Sequence, residues 1–478
     1  MLAARWFRVI MPFGCGGKPA VNENRMNREL SDFAVRLRGI ISSLVAAEVT
    51  RLKNSESLGE ISTPLGTEPP YVGSYKYFDS LALELFALQF KYNSAYQKVC
   101  RARRVTPELV EHWTQIPAVP TAAFKELDLS CLAPGERTSV FHSSGTTEQR
   151  PSRHYHCRES LRIYEASLLS WFVHNVLSDL RFTTYDLRLI CLTPPPELAP
   201  HSSLVHMFET VRQKIGGARV PASRNEFLGR TAPDGSWTLD FDTVLAALNS
   251  SLVTRPSTLL LGTAFSFVHL LDFLAEKHLR FKLPTGSRVM ETGGYKNRSR
   301  SMPKAELYEL ITERLGVPPE NIICEYGMSE LSSQAYDCVA IGSVVPHPGP
   351  LPKERENSSQ SVGKTTVPGN FKERPLLFPL PPEEGQGEGK RGIHPPSSIL
   401  HPRFFRFPPW ARVQIILPET GREVADEETG LIRVFDLANV FSVMAIQTED
   451  LGVRREDGFE LIGRARLAEP RGCSLMNA

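Results

Sequence analysis

Five small residues in a row, Ser143, Ser144, Gly145, Thr146 and Thr147, follow the apolar lead-in Ser139-Val140-Phe141. Small hydroxyl residues around a glycine let the backbone turn tightly and aim several N–H and O–H donors at one anion. A phosphate is the usual guest of such a loop. The Gly-Lys-Ser/Thr ending of a Walker loop is absent, which disfavours that nucleotide fold. A plain polar turn favours the same residues, so companions are needed. Two further glycine-bearing polar runs supply them: Thr292-Gly293-Gly294 and Tyr326 to Glu330. His154, His156 and Cys157 form the densest group of metal-ligand types, but their spacing matches no standard zinc pattern.

Periodicity indicates the elements that carry these runs. Apolar residues at helical spacing predict helices over 28–52, 80–101, 158–179, 265–277 and 304–315. Thr106-Pro107-Glu108 reads as a helix start. Short apolar runs at 187–192, 257–262, 288–290 and 322–324 read as buried strands. Strands alternating with helices predict an α/β fold of layered sheets and helices. Each of the three polar runs follows a strand, and open α/β sheets bind ligands at the carboxyl ends of their strands. Beyond Phe404 the pattern turns β-rich, with strands at 412–417, 430–436 and 443–448 and a hairpin over 454–462.

The chain has 478 residues, 41% of them hydrophobic, and a net charge of +2. That balance gives no electrostatic case for nucleic acid or an anionic membrane as partner, and no apolar run approaches the ~20 residues of a membrane span. The eight cysteines are scattered, without a disulfide-like framework, which fits a reducing cytoplasm. Residues 1–25 read as a disordered or mis-assigned start, with Met26 as an alternative one. Residues 26–340 read as the main α/β domain and 401–478 as its β-rich end with a cysteine-bearing tail. Between them, Val345 to Pro402 carries twelve prolines. Such composition cannot bury enough apolar surface to offset its ordering entropy, so 341–400 reads as a disordered insertion.

Ser143 to Thr147, Tyr326-Gly327-Met328-Ser329-Glu330, Thr448-Glu449-Asp450, Asp457-Gly458 and Gly463-Arg464 stand in the order of the motifs of adenylate-forming enzymes. Ile116 to Pro120 with Phe124-Lys125, Leu192 to Leu204, Gly293 to Lys296 and Arg471 to Ser474 resemble one branch in particular. That branch is the acyl-protein synthetases, the ligase subunit of the bacterial fatty acid reductase complex, related to phenylacetate–CoA ligases. The resemblance covers about Ser74 to Leu475 apart from the insertion.

It implies that ATP and a carboxylic acid, most simply a long-chain fatty acid, give an acyl-adenylate. The acyl group then passes to a cysteine as a thioester and on to a reductase partner, in bioluminescence or another aldehyde-forming pathway. Ser143 to Thr147 would hold phosphates, Gly293 and Gly294 would let the backbone approach adenine, and Tyr326, with Gly327 beside it, would stack on the base. Ser329 would contact the α-phosphate or the acyl carboxylate, and Glu330 would bind Mg²⁺. Asp450 would accept both ribose hydroxyls, and Arg464 would lie near them. Cys473 would carry the acyl group. The loop departs from the common Gly-x-Pro-Lys continuation, since Glu148 to Arg153 follows it. Arg150, Arg153, Lys125 and Lys296 are therefore the candidate cations. Little sequence follows Arg464, so the mobile C-terminal domain of the larger family, with its catalytic lysine, is not expected; the acyl-protein branch is likewise short. Two other readings remain open: transfer to CoA or a small amine, and a nucleotide-binding subunit without catalysis.

Overall fold

In the computed structural model the described residues are 28–43, 70–143, 150–177, 187–215, 225–233, 235–254, 257–293, 302–337, 403–455 and 458–465. The centre is a six-stranded sheet with the order β11-β10-β9-β8-β4-β5. These strands are β4 (Leu187–Cys191), β5 (Asn225–Phe227), β8 (Ser257–Thr263), β9 (Arg288–Thr292), β10 (Ile322–Tyr326) and β11 (Ala335–Tyr336). All pair in parallel except β11, which lies antiparallel on the edge. Parallel strands are covered on both faces, so they read as near-continuous apolar runs. Every residue of β4, β8, β9 and β10 is buried.

A second sheet is built from β1 (Val119–Pro120), β12 (Ala411–Ile416), β13 (Thr429–Asp436), β14 (Ala445–Arg455) and β15 (Gly458–Arg464). It is antiparallel apart from β1, which pairs in parallel with β14. Two ribbons complete the strands: β2 (Ser139–His142) with β3 (Arg153–His156), and β6 (Gly229–Thr231) with β7 (Trp237–Leu239).

The helices are α1 (28–43), α2 (Pro70–Tyr92), α3 (Ser94–Ala102), α4 (Ala123–Glu126), α5 (Arg158–Phe172), α6 (Ser203–Ile215), α7 (Phe241–Thr254), α8 (Ala264–Glu276) and α9 (Lys304–Leu315). Two of them carry the chain back between neighbouring parallel strands, in the units β8-α8-β9 and β9-α9-β10. Local chemistry fixes their ends. Thr263 and Ser266 cap α8 reciprocally. Gly316 closes α9 at φ 67°, a left-handed position that costs glycine little.

Three expectations need correction. The helix expected over 80–101 is two helices. Buried Asn93 leaves helical dihedrals, and its side chain accepts from Tyr96 N to start the second. The helix start at Thr106 becomes a three-residue 3-10 turn, Pro107–Leu109, without a side-chain cap. The helix expected to 179 ends at Phe172 and runs into a π turn, Val173–Leu177. The expected insertion at 341–400 and the expected start at 1–25 lie outside the described residues. The described residues stop at Asp337 and resume at Arg403, and beside this gap Tyr336 and Arg406 exchange backbone hydrogen bonds at 3.2 and 3.1 Å.

Candidate functional site

A cavity of about 270 Å³ opens at the carboxyl ends of β9 and β10. Eight residues singled out from the sequence line it: Ser143, Gly293, Tyr326, Gly327, Ser329, Glu330, Asp450 and Arg464. Ser144, Gly145, Thr146, Thr147, Gly294, Lys296 and Cys473 lie outside the described residues. A larger cavity, about 330 Å³, lies between Lys98 and Arg137 and holds none of the predicted residues. There Arg137 is paired with Asp128 at 2.7 Å, and burial pushes the Cys131 thiol up. The smaller cavity, which gathers the motif residues, is therefore the candidate site.

Each side chain has a structural reason for its place. Tyr326 ends β10 and sits edge-on to Phe405, Phe407 and Phe459, with ring centroids 5.9, 6.2 and 5.3 Å away. Its hydroxyl donates to Asp450 Oδ2 at 2.9 Å. Asp450 lies opposite Arg464 in the β14–β15 ladder, and Arg464 Nε is 3.4 Å from Asp450 Oδ1. Arg464 Nη2 also binds Glu449 at 2.6 Å. The tyrosine face and an acceptor-only carboxylate thus stand at one end of the cavity.

The turn after β10 is held from three directions. Asp436 accepts from Ser332 N at 2.8 Å and from the Ser333 hydroxyl at 2.7 Å. Asn439 donates to the Glu330 carbonyl at 2.9 Å. His154 Nδ1 lies 2.8 Å from the Ser329 carbonyl. A carbonyl only accepts, so His154 carries its proton on Nδ1. Burial lowers the His154 pKa, so the ring stays neutral near pH 7. The Ser329 hydroxyl donates to Glu330 Oε2 at 3.0 Å. Ser143 and Ser152 hold the mouth of the hydroxyl loop through Ser152 N to Ser143 Oγ, 3.0 Å.

His154 is thereby a structural residue. Among the described residues no group of three His, Cys, Asp or Glu side chains has metal-binding geometry. Lys125 and Arg153 are neighbours, with Arg153 Nη2 3.4 Å from the Lys125 carbonyl, and neither lines the cavity.

Sequence reasoning passed over several residues here. Glu325 lines the cavity, is 5% exposed, and accepts a hydrogen bond from the Thr292 hydroxyl. Burial, with Glu291 adding repulsion, raises its carboxyl to about 7. Tyr164, Met207 and Gln334 line the cavity too, beside Ser202, Ser203 and Leu204 from the stretch Leu192 to Leu204 that the sequence had singled out. Cys324 also lines the cavity, but burial and then Glu291 push its thiol well up, which leaves it a weak nucleophile. The signal for Glu325 was available, since a carboxylate inside a buried parallel strand is rarely idle.

The set fits a nucleotide and a carboxylic acid as substrates. It offers an aromatic face, a carboxylate for paired hydroxyls, small residues for close approach, and Glu330 as a hard oxygen ligand for a divalent cation.

The chain is similar in structure to 2-hydroxyisobutyryl-CoA ligase in an open conformation with 2-HIB-AMP and CoA. The TM-score is 0.51 at 11% identity, covering 85% of this chain and 74% of that one. The same ligase in its postadenylation state with 2-HIB-AMP gives a TM-score of 0.50 at 12% identity, covering 85% and 72%. At such identities the likeness concerns the fold alone. A search of curated proteins found no match. The family model described as acyl-protein synthetase, LuxE, matches residues 70–340. With that match over more than half its length, the chain belongs to the LuxE family of acyl-protein synthetases and carries the adenylate-forming ligase fold, built for acyl activation.

Proposed function

We propose that the protein joins a long-chain fatty acid to AMP and then passes the acyl group to Cys473 as a thioester, feeding an acyl reductase. The observation that supports this reading is the convergence of eight motif residues on one cavity, from Ser143, the first residue of the hydroxyl loop, to Arg464 on the last strand. A carboxylate is a poor acyl donor because its leaving group would be oxide. Attack of the carboxylate oxygen on the α-phosphorus of ATP expels pyrophosphate and installs AMP as a good leaving group. The Cys473 thiolate then attacks the acyl carbon, a C–S bond forms, and AMP departs.

The residues divide the work. Tyr326 offers its face to adenine while its hydroxyl orients Asp450 toward the ribose hydroxyls. Gly327 and Gly293 admit close approach. Ser143 and the following loop hold the departing phosphates, and Ser329 positions the reacting oxygens. Glu330 would hold Mg²⁺, which supplies charge neutralisation as pyrophosphate leaves. Cys324 is a poor rival to Cys473, since its buried thiol resists ionisation.

The test is ATP-dependent incorporation of labelled tetradecanoic acid into purified protein beside Cys473→Ser. Hydroxylamine-sensitive label in the parent and none in the variant is the expected result. Label that persists in Cys473→Ser moves the acceptor to another thiol. Release of all label to added CoA, with none on protein, would replace the protein acceptor with a CoA ligase.

A further inference from the structure

Consecutive residues of a strand point to opposite faces of the sheet. Tyr326 points toward Phe459 and Asp450, the end assigned to the nucleotide. Glu325 points the other way. It meets Thr292, its register partner on β9, and its charge helps raise the pKa of Tyr164 on α5. Glu325 therefore lies on the side of the cavity away from Asp450, where the acid substrate has to sit.

Two acceptors converge there. Glu325 Oε2 is engaged by Thr292, and Oε1 stands directly over Gly327, where a Cβ would collide with it. The same Cβ would lie 3.5 Å from Gln334 Cγ. Gln334 is 4% exposed, and its Oε1 is buried without a hydrogen-bond partner among the described residues. Among those residues Glu325 has no arginine or lysine partner, and Thr292 is its one side-chain donor. With Thr292 as the one side-chain donor, the buried Gln334 oxygen stays unsatisfied, which is costly, and a bare hydrocarbon chain laid against it would leave that cost in place.

We propose that Glu325 and Gln334 form a polar subsite above Gly327 that receives a hydrogen-bond-donating substituent, a hydroxyl or an ammonium, on the carboxylic acid substrate. This rests on the acid-activating reading of the cavity and narrows its substrate class from plain to substituted acids. The subsite gives the selectivity a direction. A site built to bond a donor rejects the analogue lacking it far more strongly than an apolar pocket rejects an extra hydroxyl.

The experiment is acid-dependent ATP–pyrophosphate exchange by the full chain. Octanoate is compared with 2-hydroxy-, 3-hydroxy-, 2-amino- and 3-amino-octanoate, in the parent, Glu325→Gln and the double variant Glu325→Val/Gln334→Leu. In the parent, at least one substituted acid should exceed octanoate about tenfold or more in kcat/KM. The double variant should reverse that ratio, which a general loss of folding cannot do. Glu325→Gln separates the two donors: preference for a hydroxyl persists, and preference for an ammonium falls. Octanoate equal to or better than every substituted acid in the parent overturns the subsite while leaving adenylation intact. A ratio unchanged in the double variant also overturns it. No exchange with any acid, tetradecanoate included, overturns the adenylation reading and the subsite with it.

Discussion

At the scale of single residues, the most informative side chain is the one whose charge state is least comfortable. Glu325 keeps its proton to about pH 7 because burial disfavours the anion. In the unfolded chain an ordinary glutamate loses it near 4.3. Between those values the folded state binds more protons than the unfolded state, so this group's contribution to stability falls as pH rises. Glu325→Gln should leave the melting temperature near the parent's at pH 4.5. At pH 8 it should raise stability by about 1–3 kcal/mol, read as the difference between two thermal melts. Equal melts at both pH values would mean that the carboxyl is solvated. Asp450 is engaged by Tyr326 and Arg464. Asp450→Asn should raise the KM for ATP about tenfold, the cost of weakening a charge-assisted hydrogen bond, with a smaller change in kcat. Tyr326, Glu330 and Asp450 were legible because their types recur in fixed order along the sequence. Glu325 carried a signal too, a carboxylate inside a buried apolar strand, but its bond to Thr292 shows only in the fold.

At the scale of elements, the run from Gly327 to Gln334 is a turn that could not hold its shape alone. Asp436, at the end of β13, binds Ser332 N, the Ser333 hydroxyl and Ala438 N. Burial raises its carboxyl to about 6 despite those donors. Asp436→Ala leaves them without an acceptor, and stability should drop by roughly 3 kcal/mol or more. Asp436→Asn keeps one acceptor oxygen and should lose less. Denaturant unfolding of the two variants orders them, and the reverse order would show that the carboxylate is not the anchor. Gly327 is fixed by the same crowding, since a methyl group there would strike Glu325 Oε1. The parallel strands were readable as short apolar runs because both faces of each are covered. The break at Asn93 was not, because a buried cap residue inside an apolar run interrupts no periodicity. Nor was the pairing of β1 with β14, a contact between residues more than 300 positions apart that only the assembled fold creates.

At the scale of the whole molecule, the question is what the fold requires between Asp337 and Arg403. The flanks pair with each other: Tyr336 and Arg406 exchange two backbone hydrogen bonds, and Phe405 pairs with Phe459 on β15. Asp337 is anchored as well, with Oδ1 accepting from Cys324 N at 2.6 Å and Oδ2 meeting Lys304. Both ends are therefore fixed by contacts within 1–344 and 403–478, one unit by its internal contacts, with 345–402 a separate one. Composition argues in the same direction, since a stretch with twelve prolines has little to bury. We infer that 341–400 can be replaced by a connector of about eight residues, since closure cost grows only slowly with loop length. Each halving of a flexible loop returns about 0.6 kcal/mol, so the shortened protein should melt no lower than the parent. It should also retain acid-dependent pyrophosphate exchange, because every described residue lining the cavity is kept. A lower melting point would show that the segment packs on the fold. An unchanged melting point with exchange abolished would show instead that it serves the reaction, and would turn the insertion from a passenger into part of the enzyme.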